Sequence, residues 1–114
     1  MITLEALRQY GADTATGMNR CMNNEGFYLR LVNLALADKN FDKLAAALEA
    51  GDGKAGFEAA HALKGVLGNL SLTPLVEPVS ALTELLRSGG STEEAAALSR
   101  ELFDRKADLA RLCE

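Results

Sequence analysis

The sequence predicts an all-α protein, folded as an antiparallel, up-down bundle of helices. Alanine, leucine and glutamate are frequent in the chain and β-branched residues are sparse, so the local propensity is helical. Glycine and Asn/Asp clusters divide the chain into segments of helical length. The connections between them are short, which forces neighbouring helices to run antiparallel. There is no internal repeat and no linker that would separate a second domain, so residues 1–114 are expected to form a single domain.

Gly11 separates the first two helical segments, which could instead form one irregular element. The third helix is apolar nearly all round from Phe27 to Leu36, so it is either the central core helix or one that presents apolar surface to a partner. Tyr28 (or Leu29) is the residue expected to contribute to such a docking surface. The predicted helices, with boundaries defined to a few residues, are 4–10, 14–22, 25–37, 40–50, 54–70, 74–88 and 92–112.

Turn and cap residues mark the ends of the later helices. Gly51-Asp52-Gly53 ends the fourth helix and Ser88-Gly89-Gly90 ends the sixth, because glycine accepts the left-handed conformation. Thr73-Pro74 predicts a helix start with the threonine as cap and proline at the first helical position. Pro78 then either kinks the first full turn of that helix or marks a later start. Ser91-Thr92-Glu93-Glu94 predicts a capping box for the last helix.

The composition argues against several functional classes. A net charge of −4 and a pI near 5.0 disfavour nucleic-acid binding, which needs a basic patch. No apolar run is long enough to span a bilayer, and no signal peptide is evident, so we expect a cytoplasmic protein without membrane attachment. The lack of linkers favours a free-standing protein, and we expect a monomer. Cys21 and Cys113 have no CxxC partner, so free thiols are favoured over a long-range disulfide.

The informative stretch is Gly56–Leu70. On a helix at about 100° per residue, its apolar residues form a stripe opposite His61. Those core-facing residues are Ala59, Leu63, Val66, Leu67 and Leu70. The residues on the same outward face as His61 are Lys54, Phe57, Glu58, Lys64, Gly65 and Gly68. A glycine inside a helix costs about 1 kcal/mol relative to alanine, so two of them beside His61 indicate a surface kept bare for another protein.

These residues suit phosphoryl chemistry. Imidazole is a good nucleophile near neutral pH, and its phosphoramidate carries close to two negative charges. Lys64, one turn after His61, can lie beside those oxygens as a cation. The chain has no P-loop, no glycine-rich nucleotide loop and no triad of acids for Mg²⁺. Because phosphoryl transfer needs a metal and in-line positioning, the partner is expected to supply both.

The segment Ala60-His61-Ala62-Leu63-Lys64-Gly65, followed by Leu67, Asn69 and Leu70, resembles the motif of histidine-phosphotransfer (HPt) domains of two-component phosphorelays. The resemblance extends more loosely over residues 10–88. It implies a four-helix bundle, here with an additional short N-terminal helix.

The resemblance also implies a function. Nε2 of His61 would accept a phosphoryl group from a receiver-domain aspartate and pass it to another receiver. Lys64 would stabilise the phosphate charge, and Gly65 and Gly68 would keep access open. Phe57, Glu58 and Tyr28 are the candidate docking residues. The expected partners are response-regulator receiver domains, and possibly a hybrid sensor histidine kinase. No cofactor of its own is expected, Mg²⁺ lying on the receiver, and no autonomous ATP-dependent kinase activity is expected.

Other interpretations remain open from the residues alone. His61 could be an ordinary surface histidine, and Lys64 an ordinary solvated lysine. A helical adaptor that binds a receiver or kinase domain without being phosphorylated is the main alternative function. A metal- or thiol-dependent enzyme built on a bundle is a weaker alternative, because one histidine and two isolated cysteines provide few ligands.

Overall fold

Seven α-helices and their short connections account for the whole chain, and a computed structural model describes all 114 residues. No boundary differs from the predicted one by more than two residues. The helices are α1 (Leu4–Tyr10), α2 (Thr14–Arg20), α3 (Glu25–Leu36), α4 (Asn40–Glu49), α5 (Gly53–Asn69), α6 (Thr73–Arg87) and α7 (Thr92–Leu112). Gly11 ends α1 in the left-handed conformation with φ of 110°, so α1 and α2 are separate elements.

The last four helices pack against one another more extensively than the first three helices do. Helix α5 packs between α4 and α6, and α7 packs against both α6 and α4, which closes a four-helix bundle. The predicted fold class is therefore confirmed. The N-terminal addition to this bundle consists of two helices of seven residues each, followed by α3. No helix is both long and apolar enough to cross a membrane.

One hydrophobic core joins the N-terminal helices to the bundle. It is a cluster of 23 buried residues that extends along the chain from Ile2 to Leu109. Both cysteines are free, with Cys21 buried in this core and Cys113 half-buried. Helix α3 contributes Val32 to the core but leaves Leu34 60% exposed, so it is a core helix that also presents apolar surface.

Helix capping follows the sequence at α7 but not at α6. Ser91 Oγ accepts a hydrogen bond from the amide of Glu94 at 3.1 Å, as the capping-box motif predicts. The prediction that Thr73 caps α6 is wrong. The cap position is Leu72, whose amide donates to the carbonyl of Leu67, and Thr73 is already the first helical residue. Ser71 forms a tight turn with φ of 55° just before this cap, and α6 begins one residue earlier than predicted.

Pro78 lies inside α6, and the helix continues through it. A proline has no amide hydrogen, so the carbonyl of Pro74 loses its normal partner four residues later. Arg105 of α7 replaces that partner, since its Nη1 donates to the carbonyl of Pro74 at 2.8 Å. The same guanidinium pairs with Glu101 and lies 3.9 Å from Glu77. The sequence irregularity in α6 is thus compensated by a side chain of α7.

Candidate functional site

Helix α5 turns one face into the core and the opposite face to solvent. Asp52 caps the helix by accepting a hydrogen bond from the amide of Ala55 at 3.1 Å. The imidazole of His61 is exposed in the middle of the helix, as predicted. The predicted core stripe is confirmed, with Val66 half-buried and the others buried: Ala59, Leu63, Leu67 and Leu70.

An aromatic stack holds the imidazole on the N-terminal side of this face. The rings of Phe57 and His61 lie 5.5 Å apart between centroids with an interplanar angle of 18°. On α6, the guanidinium of Arg87 lies 5.4 Å from the centroid of the Phe57 ring, and its Nε is 3.6 Å from Glu84. Stacking and cation–π contacts of this kind favour one ring orientation. Phe57 is half-buried, and its ring stacks on the imidazole.

A shallow polar depression of about 590 Å³ opens on the C-terminal side of His61. It contains no carboxylate and no hydrophobic side chain, and two of its residues are cationic. None of the chain's five ion pairs includes either of these cations. A dianion placed here would therefore meet two cations and no carboxylate in the lining. Asp13, which lies outside the lining, interacts with the charge of Arg20. The lining residues are Arg20, His61, Lys64, Gly65, Gly68 and Asn69.

The two glycines of the depression have no packing reason to be glycine. A Cβ built at Gly65 or Gly68 would meet no atom within 4 Å. At Gly56 of the same helix, by contrast, a Cβ would touch Leu86 Cδ1 at 3.4 Å. A mid-helix glycine costs about 1 kcal/mol relative to alanine. The packing of the bundle does not require glycine at Gly65 and Gly68, so their cost in helix stability is consistent with a partner that approaches this surface.

The three charged residues predicted on the outward face lie in three different depressions. Lys64 is half-buried and lines the depression beside His61. Glu58 is exposed but lies in the groove between α4 and α5, together with Lys43. Lys54 lies near the start of α5, beside Phe57 and Arg87 in a separate depression. Among these, only Lys64 shares the surface that contains His61.

The prediction that Tyr28 belongs to a docking surface is wrong. Its side chain is fully buried, and its hydroxyl donates to the carbonyl of Leu70 at 2.8 Å. Its ring lies against Gly17, where an added Cβ would be 2.6 Å from three of its atoms. Burial raises the pKa of Tyr28 to about 12. Tyr28 of α3 therefore contacts both α2 and the end of α5, and its side chain is not accessible to a partner.

Other residues of α3 provide the apolar surface that Tyr28 does not. Leu31 and Leu34 line a groove of about 240 Å³ together with Val66 and Leu70 of the α5 end. Phe27 is 36% exposed on the same side. Asn69 lines both this groove and the depression at His61, so the apolar and polar surfaces are continuous.

Arg20 is the site residue that sequence reasoning missed. It is the last residue of α2, and its Nη1 donates to the carbonyl of Gly68 at 2.6 Å. It precedes His61 by 41 residues in the chain, and no spacing pattern links the two. Only the packing of α2 against the end of α5 brings Arg20 into the depression.

Comparison with protein-family models gives a match over most of the chain. The model described as the Hpt domain matches residues 31–114. The match includes α7, which lies beyond the 10–88 region of the resemblance seen in the sequence, and it leaves out α1, α2 and the first half of α3. Searches of the curated proteins and of the solved structures return no match.

Proposed function

The chain belongs to the Hpt domain family, which acts in phosphotransfer in two-component signalling, and from this membership we propose that His61 is its phosphoryl acceptor. The single observation that carries the proposal is the exposed imidazole in the middle of α5, beside a depression with two cations and no acid. The chain contains no other histidine. The proposed phosphorelay step therefore has one candidate acceptor residue, and the resemblance to HPt domains implies Nε2 of His61 as the acceptor atom.

In the proposed step, a receiver-domain aspartyl phosphate is the donor. The lone pair of Nε2 forms a P–N bond as the P–O bond of the acyl phosphate breaks, and the aspartate leaves as a carboxylate. The ring proton remains on the other nitrogen during the transfer and exchanges with solvent afterwards. The reverse step delivers the phosphoryl group to the aspartate of another receiver domain. This chain carries the group and has no ATP-dependent kinase activity of its own.

The neighbours of His61 have distinct proposed roles. Lys64 stabilises the charge that develops on the phosphoryl oxygens. Gly65 and Gly68 allow the receiver to approach the backbone of α5, and Phe57 orients the imidazole through its ring stack. Because the depression supplies no carboxylate, Mg²⁺ is provided by the receiver domain. Glu58 lies at the edge facing α4 and contacts the receiver only at the periphery.

We also propose the setting in which this step occurs. Hpt domains interact with receiver domains of response regulators. The proposed partners here are response-regulator receivers, with a hybrid sensor histidine kinase as a further candidate. All 114 residues form one domain, consistent with a core that includes both Ile2 and Leu109. The protein acts in the cytoplasm as a monomer, without a bound cofactor.

The test is phosphoryl transfer from a labelled receiver domain. Incubation is expected to produce acid-labile, alkali-stable label on this chain, as a phosphoramidate requires, and His61→Gln is expected to abolish it. Label that persists in His61→Gln would overturn the proposal.

Lys64→Gln is expected to slow the transfer by about tenfold, the effect of losing one charge-assisted contact of roughly 1.4 kcal/mol. The matched control is Lys54→Gln, which removes a lysine from the same helix but outside the depression. Equal rates for the two variants would remove Lys64 from the mechanism.

A second candidate function is that of an adaptor that binds a receiver or kinase domain without phosphorylation. The observation that favours it is the apolar groove on α3, formed around Leu31 and Leu34, which suits a binding role by itself. In that case His61→Gln would leave partner affinity unchanged, and no label would reach the parent protein. A binding titration combined with the labelling experiment separates the two functions.

A further inference from the structure

The position of Arg20 leads to an inference that rests on the proposed phosphorylation of His61. Arg20 is contributed by α2, outside the region 31–114 that matches the Hpt family model. Its side chain nevertheless lines the same depression as His61 and Lys64. We propose that Arg20 is a second phosphoryl-binding cation of the site, which moves from the carbonyl of Gly68 onto the phosphoryl oxygens when His61 is phosphorylated.

The present contact of Arg20 is suited to a resting position. The carbonyl of Gly68 lies in the last turn of α5, where the negative end of the helix dipole attracts cations. This carbonyl also accepts a hydrogen bond from the amide of Ser71 at 3.0 Å, so Arg20 is its second donor. The guanidinium donates there through one N–H at 2.6 Å. A guanidinium has five N–H donors in a planar fork, and no carboxylate forms an ion pair with Arg20. Hydrogen bonds from Thr16 lower the pKa of Asp13 and the charge of Arg20 lowers it further, but the guanidinium donates only one hydrogen bond within the unphosphorylated protein.

The surface of α5 between this resting position of Arg20 and His61 carries two glycines and is bare there. Gly68 follows His61 by seven residues, which is about 10 Å along the helix axis. Gly65 lies between them, and neither glycine position has a neighbour within 4 Å of a built Cβ. The long side chain of Arg20 can therefore rotate across bare backbone toward the imidazole. The bare surface thus serves both the approach of a receiver and the movement of this side chain.

The exchange of partners is favourable because the new partner is charged. A neutral carbonyl accepts one hydrogen bond from the guanidinium, whereas a phosphoryl group with close to two negative charges offers oxygens that match the guanidinium fork. Lys64 lies on the same helix as His61 and approaches from the side of α5 itself. Arg20 approaches from α2, so the two cations would hold the group from different directions.

The experiment uses phosphoramidate ion as a small donor, so that docking of a receiver does not enter the measurement. In this reaction ammonia leaves as the P–N bond of the donor breaks, and a new P–N bond forms at the imidazole. Arg20→Gln is expected to reduce the rate of phosphohistidine formation about tenfold and to shorten its lifetime. Arg20→Lys is expected to restore part of the loss.

The matched control is Arg30→Gln, which removes an arginine that is exposed on α3 and outside the depression. Its rate and phosphohistidine lifetime are expected to equal those of the parent protein. Parent-like behaviour of Arg20→Gln, with His61 labelled, would overturn this inference and leave the proposed function intact. A parent protein that is labelled neither by phosphoramidate nor by a receiver would overturn both.

A second measurement observes Arg20 in the parent protein and uses a variant only for the assignment. The Nε–H resonance of Arg20 in the parent protein, assigned by its absence in Arg20→Lys, is expected to shift when His61 is phosphorylated. The corresponding resonance of Arg30 is expected to stay in place. An unchanged Arg20 resonance in fully phosphorylated protein would show that the guanidinium stays on Gly68, and would overturn the proposal.

Discussion

Replacing Gly65 with alanine adds a methyl group to the open face of α5, one turn after His61. Because a Cβ at this position meets no atom within 4 Å, the substitution introduces no clash within the protein. Alanine is the better helix former, so the free energy of unfolding is expected to rise by about 0.5–1 kcal/mol. For a domain of this size that gain raises the Tm by roughly 2–6 °C.

The same methyl group is expected to impair transfer from a receiver domain. A partner that packs closely on bare backbone meets a new methyl group, and overpacking a close-packed contact costs about 1–3 kcal/mol. That cost lowers the transfer efficiency by about 5- to 150-fold. Phosphorylation by phosphoramidate ion is expected to be less affected, since that donor does not cover the helix surface. Gly65→Ala should therefore become more stable while losing more activity with a receiver domain than with phosphoramidate ion.

The assay combines thermal unfolding with transfer from both donors. The matched control is Gly53→Ala, at the start of the same helix, where a Cβ also meets no atom within 4 Å but lies eight residues before His61. It is expected to leave both transfer rates unchanged. An unaltered receiver reaction in a stabilised Gly65→Ala protein would refute the idea that Gly65 is small for the partner's approach. A loss of stability in Gly65→Ala would refute the claim that its packing environment is open.

Three further predictions concern side-chain packing within the bundle and its N-terminal helices. Gly17→Ala is expected to lower the free energy of unfolding by about 1–3 kcal/mol in urea titration, because its Cβ would lie 2.6 Å from the buried Tyr28 ring; Gly26→Ala, with a nearest contact of 3.7 Å, is the control. Arg105→Ala is expected to lower the free energy of unfolding by about 1–2 kcal/mol in the parent protein, because the Pro74 carbonyl loses its hydrogen-bond donor. The loss is expected to be smaller in a Pro78→Ala background, where the restored amide can donate to that carbonyl. Equal losses in the two backgrounds would contradict this account. Burial raises the pKa of Tyr28 from 10.0 to about 12, so the contribution of this phenol to stability is complete below pH 10 and is lost as the pH rises toward 12. The free energy of unfolding of Tyr28→Phe, measured by urea titration, should fall less over this range than that of the parent protein. A parallel decline in the two proteins would exclude the Tyr28 phenol as the source of the parent's loss of stability.

The sequence predicts the parts of this molecule that depend on local chemistry. The apolar period of α5 identifies its buried face, and hence the outward direction of His61, because helical geometry fixes which residues share a side. The glycine clusters around Gly51 and Gly89 likewise predict the ends of α4 and α6. In these cases the residues that form the pattern lie within a few positions of the structural feature that they predict.

The features that the sequence did not predict depend on contacts between distant elements. Helix α3 is apolar nearly all round, so its pattern does not distinguish the buried Tyr28 from the exposed Leu34. The place of Arg20 at the site depends on how α2 packs against α5. The continuation of α6 through Pro78 depends on a guanidinium from α7. No local pattern encodes these pairings, which are determined by tertiary packing.

The stack of Phe57 on His61 makes the candidate acceptor visible to spectroscopy. A phenyl ring that lies nearly parallel to the imidazole at 5.5 Å generates a ring current that displaces the chemical shifts of the imidazole protons. Because the chain has a single histidine, these signals need no assignment strategy. Any event that draws the imidazole away from Phe57 would therefore appear in a one-dimensional proton spectrum of the unlabelled protein.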